Sequence, residues 1–338
     1  MNIHQVLERP EYSFLKTNPH LGKSMLFATF GGSYAYGTNV EGSDIDVRGV
    51  ALNSTTDILG RSNFEQMIDN TTDTVIYAFN KIVRLLENCN PNVIELLGCH
   101  PETYYIYHPI GRALINRRKM FLSQKAVYSF GGYATQQLRR LQAALARDRF
   151  TQTEKEKQIL SSCMSTMSSL NDRYKEFEDG SIHLYIDRSE HEDLDSEIFL
   201  DVNLRHYPLR DYKNIWSEFN TIVKEYGKLN RRNKKKDDAH LNKHAMHLIR
   251  LYLMCIDILE KEEIITYREH DLPLLMSIRN GAFQNKDGTF RDEFYQMVNE
   301  YEKRMDYARQ NTSLPEKPDY HEIEEFVMDV NRQIINSQ

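Results

Sequence analysis

The stretch FGGSYAYGTNVEGSDIDVRGV, residues 30–50, does most to restrict what this chain can fold into. An apolar run stops at Gly31-Gly32-Ser33, a polar loop follows, and Asp44 and Asp46 stand one residue apart before the chain turns apolar again. Residues i and i+2 of an extended segment share a face. Asp44 and Asp46 should therefore project together while Ile45 and Val47 face inward. Neighbouring carboxylates raise each other's proton affinity unless a cation lies between them. An oxygen-preferring divalent ion relieves that cost, Mg²⁺ first and Mn²⁺ as the alternative. Glycines let backbone amides approach a phosphate closely, and Ser33 adds a hydroxyl. A phosphate cradle beside a metal-binding aspartate pair describes a nucleotide site.

Around this stretch the sequence reads as α+β. Strands are expected at 25–30, 45–52 and 74–79, and helices at 78–88 and 91–97, the latter opened by Pro91 and ended by Gly98. Strands leading into helices imply a small mixed sheet with flanking helices, a first domain over 1–120. Residues 121–338 read as a mainly helical domain, with helix-period apolar residues at 123–149, 153–177, 208–229, 239–261, 289–310 and 319–336. SIHLYIDR and EIFLDV alternate like strands around an acidic loop, so a β-hairpin insertion is expected at about 180–203.

Composition narrows the class. With 40% hydrophobic and 27% charged residues in 338, the chain has the balance of an ordinary globular protein, and no apolar run approaches a bilayer span. The beginning of the sequence has no apolar signal core, which points to the cytoplasm. A net charge of −6 argues against coating nucleic acid non-specifically, but allows a local basic groove.

A glycine-serine pair, about ten residues, then D-x-D on a strand resembles the signature of the DNA polymerase β nucleotidyltransferase superfamily. The longer match, GGSYAYGT…GSDIDVRGV, resembles the YcgL-type nucleotidyltransferases of bacteria and phages. It continues into DTVIYAFNKIVRLLENCNPNVIELL, FGGYATQQLRRL and KHAMHLIRLYLMCIDIL. The resemblance implies transfer of a nucleotide from an NTP to an acceptor hydroxyl, with Gly31, Gly32 and Ser33 at the phosphates and Asp44 and Asp46 on the metal. It also implies a third carboxylate on a neighbouring strand: Asp73, or alternatively Glu95.

Other residues enter around this frame. Arg48 shares the face of Asp46, and could pair with the carboxylates, reach a phosphate or anchor the strand. Tyr34 and Tyr36 flank the loop, and Tyr36 is a candidate for stacking on a base. Lys243, His247 and Arg250, spaced i, i+4, i+7, form a basic helix face that the resemblance sets against the triphosphate; a merely solvated face is the competing reading. His240, His244 and His247 lack a Glu or Cys to complete a zinc site. Arg139, Arg140 and the RRNKKK run at 231–236 could line an acceptor groove. The acceptor implied first is an RNA end such as a tRNA terminus, with a protein side chain (NMPylation) as the alternative. From a different class stands a catalytically silent nucleotide- or RNA-binding module.

Overall fold

A computed structural model describes residues 2–105, 108–148, 182–188, 196–205, separate positions between 209 and 223, 238–286 and 288–337. Within helices and strands, the side chains of residues 139–140, 142–148, 182 and 196 are not described. The expected helix at 153–177, most of that at 208–229 and the RRNKKK run lie outside the described residues, as do the side chains of Arg139 and Arg140.

The sheet has four strands: β1 (Met25–Phe30), β2 (Val47–Ala51), β3 (Gln66–Asp69) and β4 (Thr74–Ala78), in the order β1-β2-β4-β3. β1 runs antiparallel to β2, β2 parallel to β4, and β3 antiparallel to β4. Every residue of β1 is buried, which fits its continuous apolar run. Its free edge is closed by Tyr105, whose backbone exchanges hydrogen bonds of 2.8 and 2.7 Å with Ala28. β4 alternates instead, with Thr74, Ile76 and Ala78 buried. Short helical segments in residues 3–17 deliver Ile3, Val6, Leu7 and Leu15 onto Met25, Ala28, Phe30, Val47 and Ile76, forming one core cluster.

The expected strands and the helices at 78–88 and 239–261 are found with small shifts of boundary. The helix after β4 runs Phe79–Leu86, and the segment after Pro91 is one α-helical turn followed by a 3₁₀ turn, Glu95–Leu97. The hairpin is present as β5 (Ile182–Arg188) and β6 (Ser196–Val202), paired antiparallel. Several elements were not foreseen, among them β3, which is only four residues long and carries no apolar run, the short helices Thr55–Leu59 and Pro109–Asn116, and the helix Leu272–Arg279, which carries Pro273 in its first turn.

The long helix Asp238–Lys261 differs most from expectation. Its foreseen stripe of Leu241, Ala245, Leu248, Tyr252, Cys255 and Leu259 is buried, but so are all twelve positions from Leu248 to Leu259. A helix covered on every side is a core element, where each fully buried Leu or Ile contributes roughly 1.5–3 kcal/mol. Contacts divide the chain into one compact unit of residues 1–139 with 238–338 and another of 140–237. The helix at 238–261 falls in the same compact unit as the sheet, and its Arg250 and Met254 pack on Tyr36. No described helix is long and apolar enough to cross a membrane.

Candidate active site

β1 ends at Phe30, and α1 (Gly32–Tyr36) begins two residues later. Gly37, at φ 76°, ends α1 in the left-handed conformation. The chain then loops through residues 38–43 and returns along Asp44 and Asp46 into β2. A hydrogen bond of 2.9 Å from the Gly31 amide to the Asp46 carbonyl closes this circuit. Asp44 and Asp46 stand just before β2 and not inside it, since regular pairing starts at Val47. The alternation nevertheless holds: Ile45 and Val47 join the core, and both aspartates line a cavity. Gly32 is required there. Its φ is +54°, and a Cβ on it would lie 1.9 Å from Asp46 Oδ2.

The pairing Val47↔Thr74 sets Asp46 next to Asp73 at the same ends of two parallel strands. Asp73 has φ 45°, uncommon for a residue other than glycine. Arg48 draws the two together: Nη2 is 3.5 Å from Asp46 Oδ1 and 3.1 Å from Asp73 Oδ1, while Nη1 donates to the Asp73 and Val47 carbonyls. Arg48 therefore pairs with the carboxylates. Burial, with the neighbouring Asp73 adding to it, pushes the Asp46 carboxyl up to about 6, against the opposing pull of Arg48 and Lys243.

The cavity has a volume of about 350 Å³. Gly32, Ser33, Thr38, Asp44, Asp46 and Asp73 line it from the sheet side of the sequence. Lys243, His244, Met246, His247 and Arg250 line it from the helix Asp238–Lys261. Gln137 and Arg279 complete it. Arg279 donates to the Thr38 carbonyl at 2.8 Å and lies 3.4 Å from Ser43 Oγ, so it clasps the loop that leads to Asp44. Burial lowers its pKa. His247 was expected to be basic, but burial, reinforced by the Arg250 charge, holds its pKa well below the usual range. As neutral imidazole its Nδ1 accepts from Arg250 Nη2 at 2.6 Å.

Two expectations are corrected. Tyr36 does not line the cavity and cannot stack on a base: it is 1% exposed, its hydroxyl donates to Glu95, and Met254 Sδ lies 3.0 Å away. An aromatic ring at the end of a helix turn is drawn into the core by its apolar area. Tyr34 likewise packs on Phe30, at 5.5 Å between ring centroids. Glu95 is buried with Tyr36 and absent from the cavity lining, so the carboxylate beside Asp46 is Asp73. Thr38, Gln137, His244, Met246 and Arg279 were not foreseen as lining residues. Thr38 had a signal, because it closes GGSYAYGT; Arg279 had none, because its helix was not expected.

The donor set suits a hard cation. Asp44, Asp46 and Asp73 offer carboxylate oxygens to one cavity, and burial, with Asp73 beside it, raises the Asp46 carboxyl, a cost that a bound cation would offset. No three His, Cys, Asp or Glu side chains among the described residues converge as a ready-made cage. Mg²⁺ characteristically takes one or two carboxylates and completes its shell with water and substrate phosphate, so the arrangement and the ion are compatible.

A small mixed sheet among helices, with aspartates and basic residues lining one cavity beside it, is consistent with the polymerase β-like nucleotidyltransferase class. Residues 6–160 match the model of RlaP, the RNA repair pathway DNA polymerase beta family, which bears out the resemblance and supports a nucleotidyltransferase. Comparison with curated proteins and with solved structures gave no match.

Proposed function

We propose that the protein transfers a nucleoside monophosphate from an NTP to an acceptor hydroxyl and releases pyrophosphate. The observation that carries this reading is that Asp44, Asp46 and Asp73 line the same cavity as the cations Lys243, Arg250 and Arg279. A site built only for an anion has no use for the aspartates, and a site built only for a cation has no use for the basic residues.

In this reading Asp44, Asp46 and Asp73 hold Mg²⁺, which when bound offsets charge on the reacting α-phosphate and the departing pyrophosphate. Gly32 and Ser33 lie against the terminal phosphates, where the glycine leaves room for close approach. Lys243 gives a mobile point charge, whereas Arg250 gives planar, directed N–H donors. Arg279 keeps the 38–43 loop, and so Asp44, in register with β2. Asp73, the more exposed partner of the Arg48 pair, is suited to draw the proton from the acceptor hydroxyl as it attacks in line.

The description of the matched family supports an RNA end as acceptor. Incubation of the full chain with each α-labelled NTP, Mg²⁺ and RNA tests this. Label in RNA is the expected result; label in protein alone would move the acceptor to a side chain, and label in neither would remove the transferase reading.

A further inference from the structure

Behind Arg250 lie two buried groups that the chemistry above does not use. Tyr36 presents its ring to the guanidinium, with Arg250 Cζ 3.5 Å from the ring centroid. The ring is itself fixed: its hydroxyl donates to Glu95, and Gly37 ends the helix immediately after it. Glu95 is held in turn, because Thr266 Oγ1 donates to its carbonyl at 2.6 Å. Burial raises the Glu95 pKa, against the opposing charge of Arg250.

Arg250 is only 7% exposed, yet it lines the cavity. A guanidinium carries five N–H donors. His247 Nδ1 takes one of them, and Nε finds no partner among the described residues. The Glu95 carboxyl is bonded by the Tyr36 hydroxyl rather than by Arg250. A buried cation that is stacked and still rich in donors is arranged to receive an anion.

We propose that Tyr36 is a positioning residue: its ring, locked by Glu95, holds Arg250 in the cavity as a fixed donor to the polyphosphate of the nucleotide. The inference rests on the nucleotidyl-transfer reading, which supplies the polyphosphate. A free arginine side chain loses rotamer entropy each time it binds; a stacked one has lost it beforehand.

Calorimetric titration of the full-length protein with inorganic pyrophosphate, without divalent metal, tests the role of Tyr36 apart from catalysis. Tyr36→Leu should weaken binding about tenfold, the scale of a desolvated cation–π contact. Tyr36→Phe, which keeps the ring and loses the hydroxyl, should weaken it only about two- to threefold. In an Arg250→Leu background, Tyr36→Leu should have no further effect, because Tyr36 acts through Arg250. Should Tyr36→Leu fail to fold, mono-, di- and trifluorinated phenylalanine at position 36 preserve shape while draining the ring face of charge, and affinity should fall at each step. Equal affinities along that series, or additive losses in the double variant, overturn the proposal while leaving nucleotidyl transfer intact. A wild-type protein that binds no pyrophosphate without metal overturns the proposal, and one that binds none with Mg²⁺ either overturns the transfer reading as well.

Discussion

Asp46 and Asp73 sit side by side at the ends of β2 and β4, one residue before the pair Val47↔Thr74, with Arg48 bonded to both. A parallel register and a single arginine thus gather two carboxylates that are far apart in sequence. The arrangement raises the Asp46 carboxyl to about 6, and several outcomes rest on that.

Asp46→Asn should stabilise the protein at neutral pH in the absence of metal. The folded carboxyl titrates at about 6, against an ordinary value of 3.8, so the folded state prefers the protonated form. That preference stabilises fully below pH about 4, is lost as pH rises through 6, and leaves wild type carrying an unfavourable charge above it. The gain of the variant is about 1 kcal/mol after allowance for solvent screening, and should shrink to nothing towards pH 4. Thermal unfolding of both proteins from pH 4 to 8 in EDTA checks it.

Binding of Mg²⁺ with nucleotide should weaken as pH falls through 6, because a proton competes with the cation for Asp46. Fluorescence or calorimetric titration at pH 5.5 and 7.5 measures the difference, expected to be several-fold. Asp46→Asn should abolish this dependence along with most of the affinity.

Gly32→Ala should disable the site with little harm to the fold. Its Cβ would lie 1.9 Å from Asp46 Oδ2, and φ +54° adds strain. Turnover should fall by at least about 100-fold, as expected when a reacting constellation shifts by an ångström, while far-UV circular dichroism stays that of wild type.

Asp257→Ala should cost about 1.5–3 kcal/mol, the scale of a hydrogen bond to a charged group, because Arg268 keeps its bond to Asp271. Arg268 is 3% exposed and bonds Asp257 and Asp271, and its amide donates to the Tyr36 carbonyl at 3.3 Å. Urea unfolding of the variant tests the cost. The pair ties the segment after the long helix to α1.

The parts legible in the sequence were those written in local pattern. Gly31-Gly32-Ser33, Asp44 and Asp46 declared themselves because glycine and paired carboxylates are costly in a buried setting without a purpose. The apolar run of β1 and the alternation of β5 and β6 marked those strands directly. Tyr36 is ambiguous in sequence because a tyrosine beside a glycine loop looks the same whether it faces a ligand or the core; only Glu95, Met254 and Arg250, remote in sequence, decide it. His247 misled for a similar reason, since helical spacing gives its neighbours along the helix but not its burial. Arg279 was invisible because its place depends on a loop 236 residues away.

The most direct measurement is single-turnover transfer from an α-labelled NTP to RNA by wild type, Asp44→Asn and Asp46→Asn, with pyrophosphate release followed in parallel. Label in RNA and stoichiometric pyrophosphate with wild type, and at least about 1,000-fold less with either variant, is the expected result. Full transfer by either folded variant would contradict the central role given to the aspartate pair.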